Sequence, residues 1–219
     1  MNKVAVIFIW IQLLLLSSCL GQNSSYEQTD EPVEQKEQKD MITERFDIQA
    51  YEKRKAEEAL EFTEEDGTFV QQLEVGKGDN VNYIEYRTPP PPARFKSFKR
   101  FHSNGVLKIE GQKFHSDFNY GVWKTYDPTG LTIEEVDYEA PYDLSFDEFL
   151  DLVKAYHKEK EIPEVDIMHN RTTITRQNNS DGTFWFFSWE LIPGRIEVLK
   201  FNDKTGEIIS TSHYELMDN

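Results

Sequence analysis

The residues that could carry chemistry are few and dispersed. The single cysteine, Cys19, offers one thiol, too few for a disulfide framework or a Cys-based structural zinc site within one chain. The five histidines are scattered, and His157-Lys158-Glu159 lacks the second histidine of a zinc-binding helix. Asp79-Asn80-Val81-Asn82 supplies oxygen ligands without the spacing or glycine of a calcium loop. No Gly-x-Ser-x-Gly elbow and no phosphate loop occurs. Carboxylates abound, with 40 Asp plus Glu against 24 Lys plus Arg and a formal net charge of −16 over 219 residues. In so acidic a chain carboxylate pairs arise by chance, and a catalytic pair needs a shaped pocket. These residues point to a non-catalytic protein with no cofactor and no metal. The acidic balance also argues against nucleic acid, whose phosphates require clustered Lys and Arg.

Charge is nevertheless patterned. Between Arg94 and Tyr126 stand seven basic residues and two acidic ones, whereas Asp127 to Val165 holds twelve acids and three lysines. One reading is mutual neutralisation across facing strands. The other is a basic hairpin face around Lys96, Lys99, Arg100 and Lys108, interleaved with Phe95, Phe98, Phe101 and Phe118, offered to an acidic protein partner.

The elements that would position this face are hairpins. Asp66-Gly67, Asn104-Gly105 and Asp181-Gly182 readily place a residue at positive φ, and each lies between runs rich in β-branched or aromatic side chains. Pro89 to Pro92 lacks backbone donors and reads as an extended connector. Ser145-Phe146-Asp147-Glu148 is a capping box opening a helix with Phe146, Phe149, Leu150, Val153 and Tyr156 on one face. Residues 46–62 carry helix formers and a short apolar stripe. The expected fold is α+β and mainly β: antiparallel hairpins followed by a helix packed on a C-terminal antiparallel sheet.

The start of the chain reads as an address. Val4 to Leu16 is apolar apart from Gln12, and at 1.5 Å rise its thirteen residues fall short of a roughly 30 Å hydrocarbon core. Leu16-Ser17-Ser18-Cys19 resembles the bacterial lipobox, which implies a signal peptide over 1–18 and a diacylglyceryl-modified Cys19 as the mature N-terminus. Leu20 and Gly21 follow, and the absence of Asp there implies, by resemblance to bacterial lipoproteins, an outer rather than an inner membrane. Residues 19–45 then read as a disordered, solvated tether.

An internal repeat lies in the body. Phe101-His102-Ser103-Asn104-Gly105 and Tyr126-Asp127-Pro128-Thr129-Gly130 each set an aromatic four residues before a turn glycine, with Glu110 and Glu135 five residues after it. Together with Gly121-Val122-Trp123-Lys124-Thr125-Tyr126, these segments resemble the bacterial variant of the MORN repeat, common in exported lipoproteins and often labelled antitoxin-like. The resemblance implies β-hairpin units over about 95–139, with Trp123 and Tyr126 buried at their centre. Phe201-Asn202-Asp203-Lys204-Thr205-Gly206 resembles the ending of PepSY-like domains, exported modules whose family resemblance implies peptidase inhibition or peptide binding. The expected segments are thus 46–92 (short helix and hairpin), 93–143 (repeats) and 144–219 (helix with antiparallel strands). The expected function is membrane-anchored protein binding, as an immunity or inhibitor protein, or alternatively as a structural adaptor of the cell envelope.

Overall fold

In the computed structural model, residues 41–115 and 117–216 are described, and all of them belong to one compact unit. The signal peptide, Cys19 and the tether up to residue 40 lie outside the described residues. A nine-residue helix α1 (Ile48–Ala56) precedes seven strands: β1 (Glu61–Thr63), β2 (Phe69–Val75), β3 (Asn82–Thr88), β4 (Phe95–Phe101), β5 (Leu107–Phe114), β6 (Phe118–Tyr126) and β7 (Thr132–Asp137). They pair antiparallel in sequence order into one sheet. Helix α2 (Phe146–Glu159) follows, then β8 (Thr173–Asn179), β9 (Gly182–Ile192), β10 (Arg195–Asn202) and β11 (Ile208–Glu215), a second antiparallel sheet. The fold is α+β, mainly β. No helix among the described residues is long and apolar enough to cross a membrane.

The repeat is visible in the backbone. From Phe101 to Tyr126 and from Gly105 to Gly130 the step is 25 residues, and each aromatic sits beside a register shift at the end of its strand. His102 N–H donates to Val106 O at 2.8 Å and Asp127 N–H to Leu131 O at 2.9 Å, closing equivalent turns. Both turns are strapped by the segment before α1. Ile42 N–H donates to Gly130 O and Phe46 N–H to Gly105 O, each at 2.8 Å. A Cβ on Gly130 would lie 2.5 Å from Ile42 O, and with φ at +94° the position admits little but glycine. The tether expected to remain disordered to residue 45 is therefore extended and paired from Met41, through bridges Met41–Leu131 and Arg45–Val106.

Two further expectations are revised. Pro89 to Pro92 joins β3 to β4 inside one continuous sheet and separates no subdomain. Tyr126 is buried as expected, but Trp123 is only half-buried, because the alternation along β6 turns it to the opposite face. The capping box of α2 forms on both sides, with Ser145 accepting from Glu148 N–H and the Glu148 carboxylate from Ser145 N–H. The Ser145 hydroxyl, and after it the Ser145 backbone N–H, donate to the Glu148 carboxylate and hold its pKa below the ordinary value.

Two cores result. Phe46, Tyr51, Tyr83, Phe101, Leu107 and Tyr126 form one under α1. The other packs Phe146, Phe149, Leu150 and Val153 of α2 on Trp185, Phe187, Leu199 and Phe201 of the second sheet, and Phe114 from the β5–β6 hairpin joins it. Asp203, fully buried, accepts from the Trp185 indole N–H at 2.8 Å and from the backbone N–H groups of Asp143 and Leu144, fastening the chain just before α2 to the end of β10.

Candidate functional site

Strand alternation divides the seven-stranded sheet into two faces. One is covered: Tyr83, Phe101, Leu107 and Tyr126 meet α1 and the strap, while Phe95, Phe114, Phe118 and Tyr120 meet the α2 core. A polar cleft of about 390 Å³ lies between these packed ends, lined by Ser97, Lys99, Glu110, Gln112, Tyr120 and Lys124.

The other face carries Leu73, Ile84, Tyr86, Phe98, Ile109, Trp123 and Val136, placed side by side by the registers Leu73↔Ile84, Tyr86↔Phe98, Phe98↔Gly111 and Trp123↔Val136. A solvated sheet face ordinarily alternates to polar residues, and this one does not. Tyr86 and Phe98 lie 5.3 Å apart between ring centroids, Phe98 and Trp123 stack at 5.3 Å, and Trp123 meets Tyr138 edge-on at 5.8 Å. Gly111 makes the ladder continuous across β5. A Cβ there would fall 2.2 Å from the indole carbons of Trp123, so the missing side chain is what lets the indole lie flat over the strand and reach Phe98. Trp123 Nε1–H donates to Gln112 O at 3.1 Å, which holds the ring in place. Neither helix and no strand of the second sheet makes a ring contact or hydrogen bond to this ladder among the described residues. Val136 and Tyr138 are 38% and 36% exposed, so the ladder ends in solvent.

Cations flank it. Lys96, Arg100 and Lys113 fall on this face by register, with Lys96 directly opposite Lys113. Among the described residues none of the three makes an ion pair. The Lys96 ammonium stands 4.9 Å above the Tyr86 ring, and Arg100 Nε is buried without a hydrogen-bond partner among the described residues. Burial first, then repulsion from Lys113, lower the Lys96 pKa, with Asp117 pulling the other way. Like charges directly opposite on a ladder are destabilising, so the fold holds this cluster against its own repulsion.

Of the four cations expected to share one face, Lys96 and Arg100 do. Lys99 is on the opposite face, its ammonium held by both Glu44 carboxylate oxygens at 2.6 and 2.8 Å. Lys108 donates to Asn82 Oδ1 at 3.0 Å. Lys113 belongs to the cluster and was missed, although pairing about the Asn104–Gly105 turn places it opposite Lys96. Mutual neutralisation of the basic and acidic segments also occurs, at Arg94–Asp147 and Lys124–Glu135. Among the described residues no group of three or more His, Cys, Asp or Glu is placed to hold a metal ion.

Fold and site together define a mainly β protein with one sheet face packed against the helices and the other aromatic and cationic, its Ile84 and Phe98 buried, its Tyr86 and Trp123 half-buried and its Val136 and Tyr138 exposed at the edge. No protein-family model, curated protein or solved structure matches the chain.

Proposed function

We propose that the protein is a lipid-anchored module of the bacterial cell envelope that docks an acidic protein surface on the open face of its seven-stranded sheet, without catalysing a reaction. One observation carries this reading: the ladder Tyr86–Phe98–Trp123–Tyr138 with the cations Lys96, Arg100 and Lys113 beside it, which make no ion pair among the described residues. Aromatic residues and Arg dominate the energetic centres of protein interfaces, and unpaired surface cations steer and orient an acidic partner. Acylation of Cys19 supplies the anchor, and the chain from Cys19 to Met41 reaches at most about 75 Å when extended, long enough to present the face away from the bilayer. An inhibitor or immunity role fits such a face.

The test is a photo-crosslinking residue at position 138, at the ladder's exposed end. In intact envelopes it is expected to yield an adduct with an acidic protein, and Cys19→Ala is expected to remove both membrane retention and the adduct. An equal adduct from position 209 on β11, or none from 138, contradicts the reading.

A further inference from the structure

The row of free N–H and C=O groups along a sheet edge is a template for another strand unless something guards it. Among the described residues, three of the four edges are guarded. β1 is only three residues long, and β7 carries Glu134, Glu135 and Asp137 among its six. β8 is capped by the β5–β6 hairpin: Ile174 N–H, which points away from β9, donates to Asp117 Oδ2 at 3.1 Å, and the Arg176 side chain reaches Asn119 O at 2.6 Å. β11 is the fourth edge. Seven of its eight residues are exposed, and it pairs with β10 alone among the described residues. From Ile208 to Tyr214 it holds no Lys, Arg, Asp, Glu, Pro or Gly, in a chain that is 29% charged.

The backbone dictates how this edge can be met. Leu216 N–H donates to Gly194 O at 2.6 Å, so by alternation Ser210, Ser212 and Tyr214 turn their N–H and C=O groups to β10, while those of Thr211, His213 and Glu215 point outward. A second copy supplies a strand of the same length with the same spacing of free groups. Turned antiparallel about a two-fold axis with Ser212 opposite Ser212, it exchanges bonds between Thr211 of each copy and His213 of the other. A register that sets Thr211 or His213 against itself leaves one end of each strand without a partner. With Ser212 on the axis, Glu215 faces Ile209 and no like charges meet. The Tyr214 ring, 52% exposed, stands opposite the small Ser210 and stays on the sheet's solvent face. Pairing uses up the one free edge of each copy, and the capped β8 edges add no further strand, so assembly closes at two. We infer that β11 is a dimer interface, at which two four-stranded sheets join into one through antiparallel pairing of β11 with β11 of a second copy. The interface lies outside the seven-stranded sheet and does not rest on the docking reading.

The test introduces single cysteines into the chain from Leu20 to Asn219, which omits Cys19 and keeps the whole compact unit beginning at Gln38. Opposed residues that exchange no backbone bonds lie about 4.5 Å apart between Cα atoms, within disulfide reach. Ser212→Cys should therefore oxidise to a covalent dimer with diamide, whereas Ser210→Cys, displaced from its own copy by about 13 Å along the strand, should not. In sedimentation equilibrium at micromolar concentration the unsubstituted chain should be a dimer. Thr211→Pro removes an outward N–H and leaves the β10 ladder its bonds, so it should raise the dimer dissociation constant about tenfold or more. Trp123→Ala should leave it unchanged. A photo-adduct from position 209 would be this chain joined to itself at twice its mass, distinct from a partner captured at position 138. Melting curves establish that each variant is folded; if Thr211→Pro is not, the two cysteine variants decide. The inference is overturned by a monomeric unsubstituted chain, the result if β11 instead receives a strand of another protein. It is overturned equally by disulfides forming alike in Ser210→Cys and Ser212→Cys, by a folded Thr211→Pro that dimerises undiminished, or by loss of the dimer in Trp123→Ala.

Discussion

Replacing Arg176 with methionine is expected to destabilise the body by about 3–5 kcal/mol, the usual consequence of removing one partner of a buried ion pair. The Arg176 side chain is 3% exposed and makes a two-pronged bond to Glu139, at 2.6 and 3.0 Å, and a third to Asn119 O at 2.6 Å. Its guanidinium stands 4.4 Å from the Tyr142 ring centre and 4.5 Å from that of Phe118. Arg176 belongs to β8, Asn119 to β6 and Glu139 to the connection before α2, so one side chain joins the two sheets. Methionine keeps apolar volume but leaves Glu139 uncompensated and Asn119 O without this donor. For a body of this size the melting temperature should fall by about 6–20 °C. The comparison is Arg171→Met, whose ion pair with Glu190 at 3.5 Å is 45% exposed on the arginine side and should contribute about 1 kcal/mol or less. Equal melting curves for the two variants would mean that the Arg176–Glu139 pair holds the sheets together no better than an exposed ion pair does.

Reversing Lys96, Arg100 and Lys113 to Glu is expected to slow association with the captured partner by about 10- to 1,000-fold at low salt, with the difference shrinking as salt rises. Steering acts on the on-rate and is screened by ions, so the salt series separates it from a loss of contact area. None of the three has an ion-pair partner to lose among the described residues, and the Lys96–Lys113 pair remains like-charged after reversal. The fold should therefore survive. Lys99→Glu is the opposite case. It sets a fourth carboxylate beside Glu44, Glu85 and Glu110 on the covered face, so it should lower the melting temperature without slowing association. A triple variant that melts early yet associates normally would remove the open face from the account.

How much of this was legible beforehand depends on the range of the interaction. Turns, the capping box at Ser145 and the 25-residue repeat are local, and each is written in consecutive residues such as Asn104-Gly105. Alternation puts Phe98 on the opposite side of its strand from Phe95 and Phe101, but does not say which side the rest of the chain would cover. That choice is made by distant residues: the strap at Ile42 and Phe46, and Glu44 reaching Lys99 from 55 positions away. Arg176 illustrates the same limit, since within Thr175-Arg176-Gln177 it reads as a solvated strand residue and its burial depends on Glu139, 37 positions away. Asp203 reads as part of an ordinary Asn-Asp-Lys-Thr-Gly turn, and only the fold reveals a fully buried carboxylate under three donors. The ladder itself hinged on an absence, the missing side chain of Gly111, which means little until Trp123 is seen lying across it.

The open face is tested most directly by oxidative side-chain footprinting with hydroxyl radicals, read by mass spectrometry, on the acylated protein in its own envelope and again after purification. Tyr86, Trp123 and Tyr138 should be protected in the envelope and labelled in the purified protein, while Tyr214 on β11, 52% exposed, should be labelled alike in both. Equal labelling of Trp123 and Tyr138 in the two preparations would contradict the account, because it would show that nothing covers the face where the protein works.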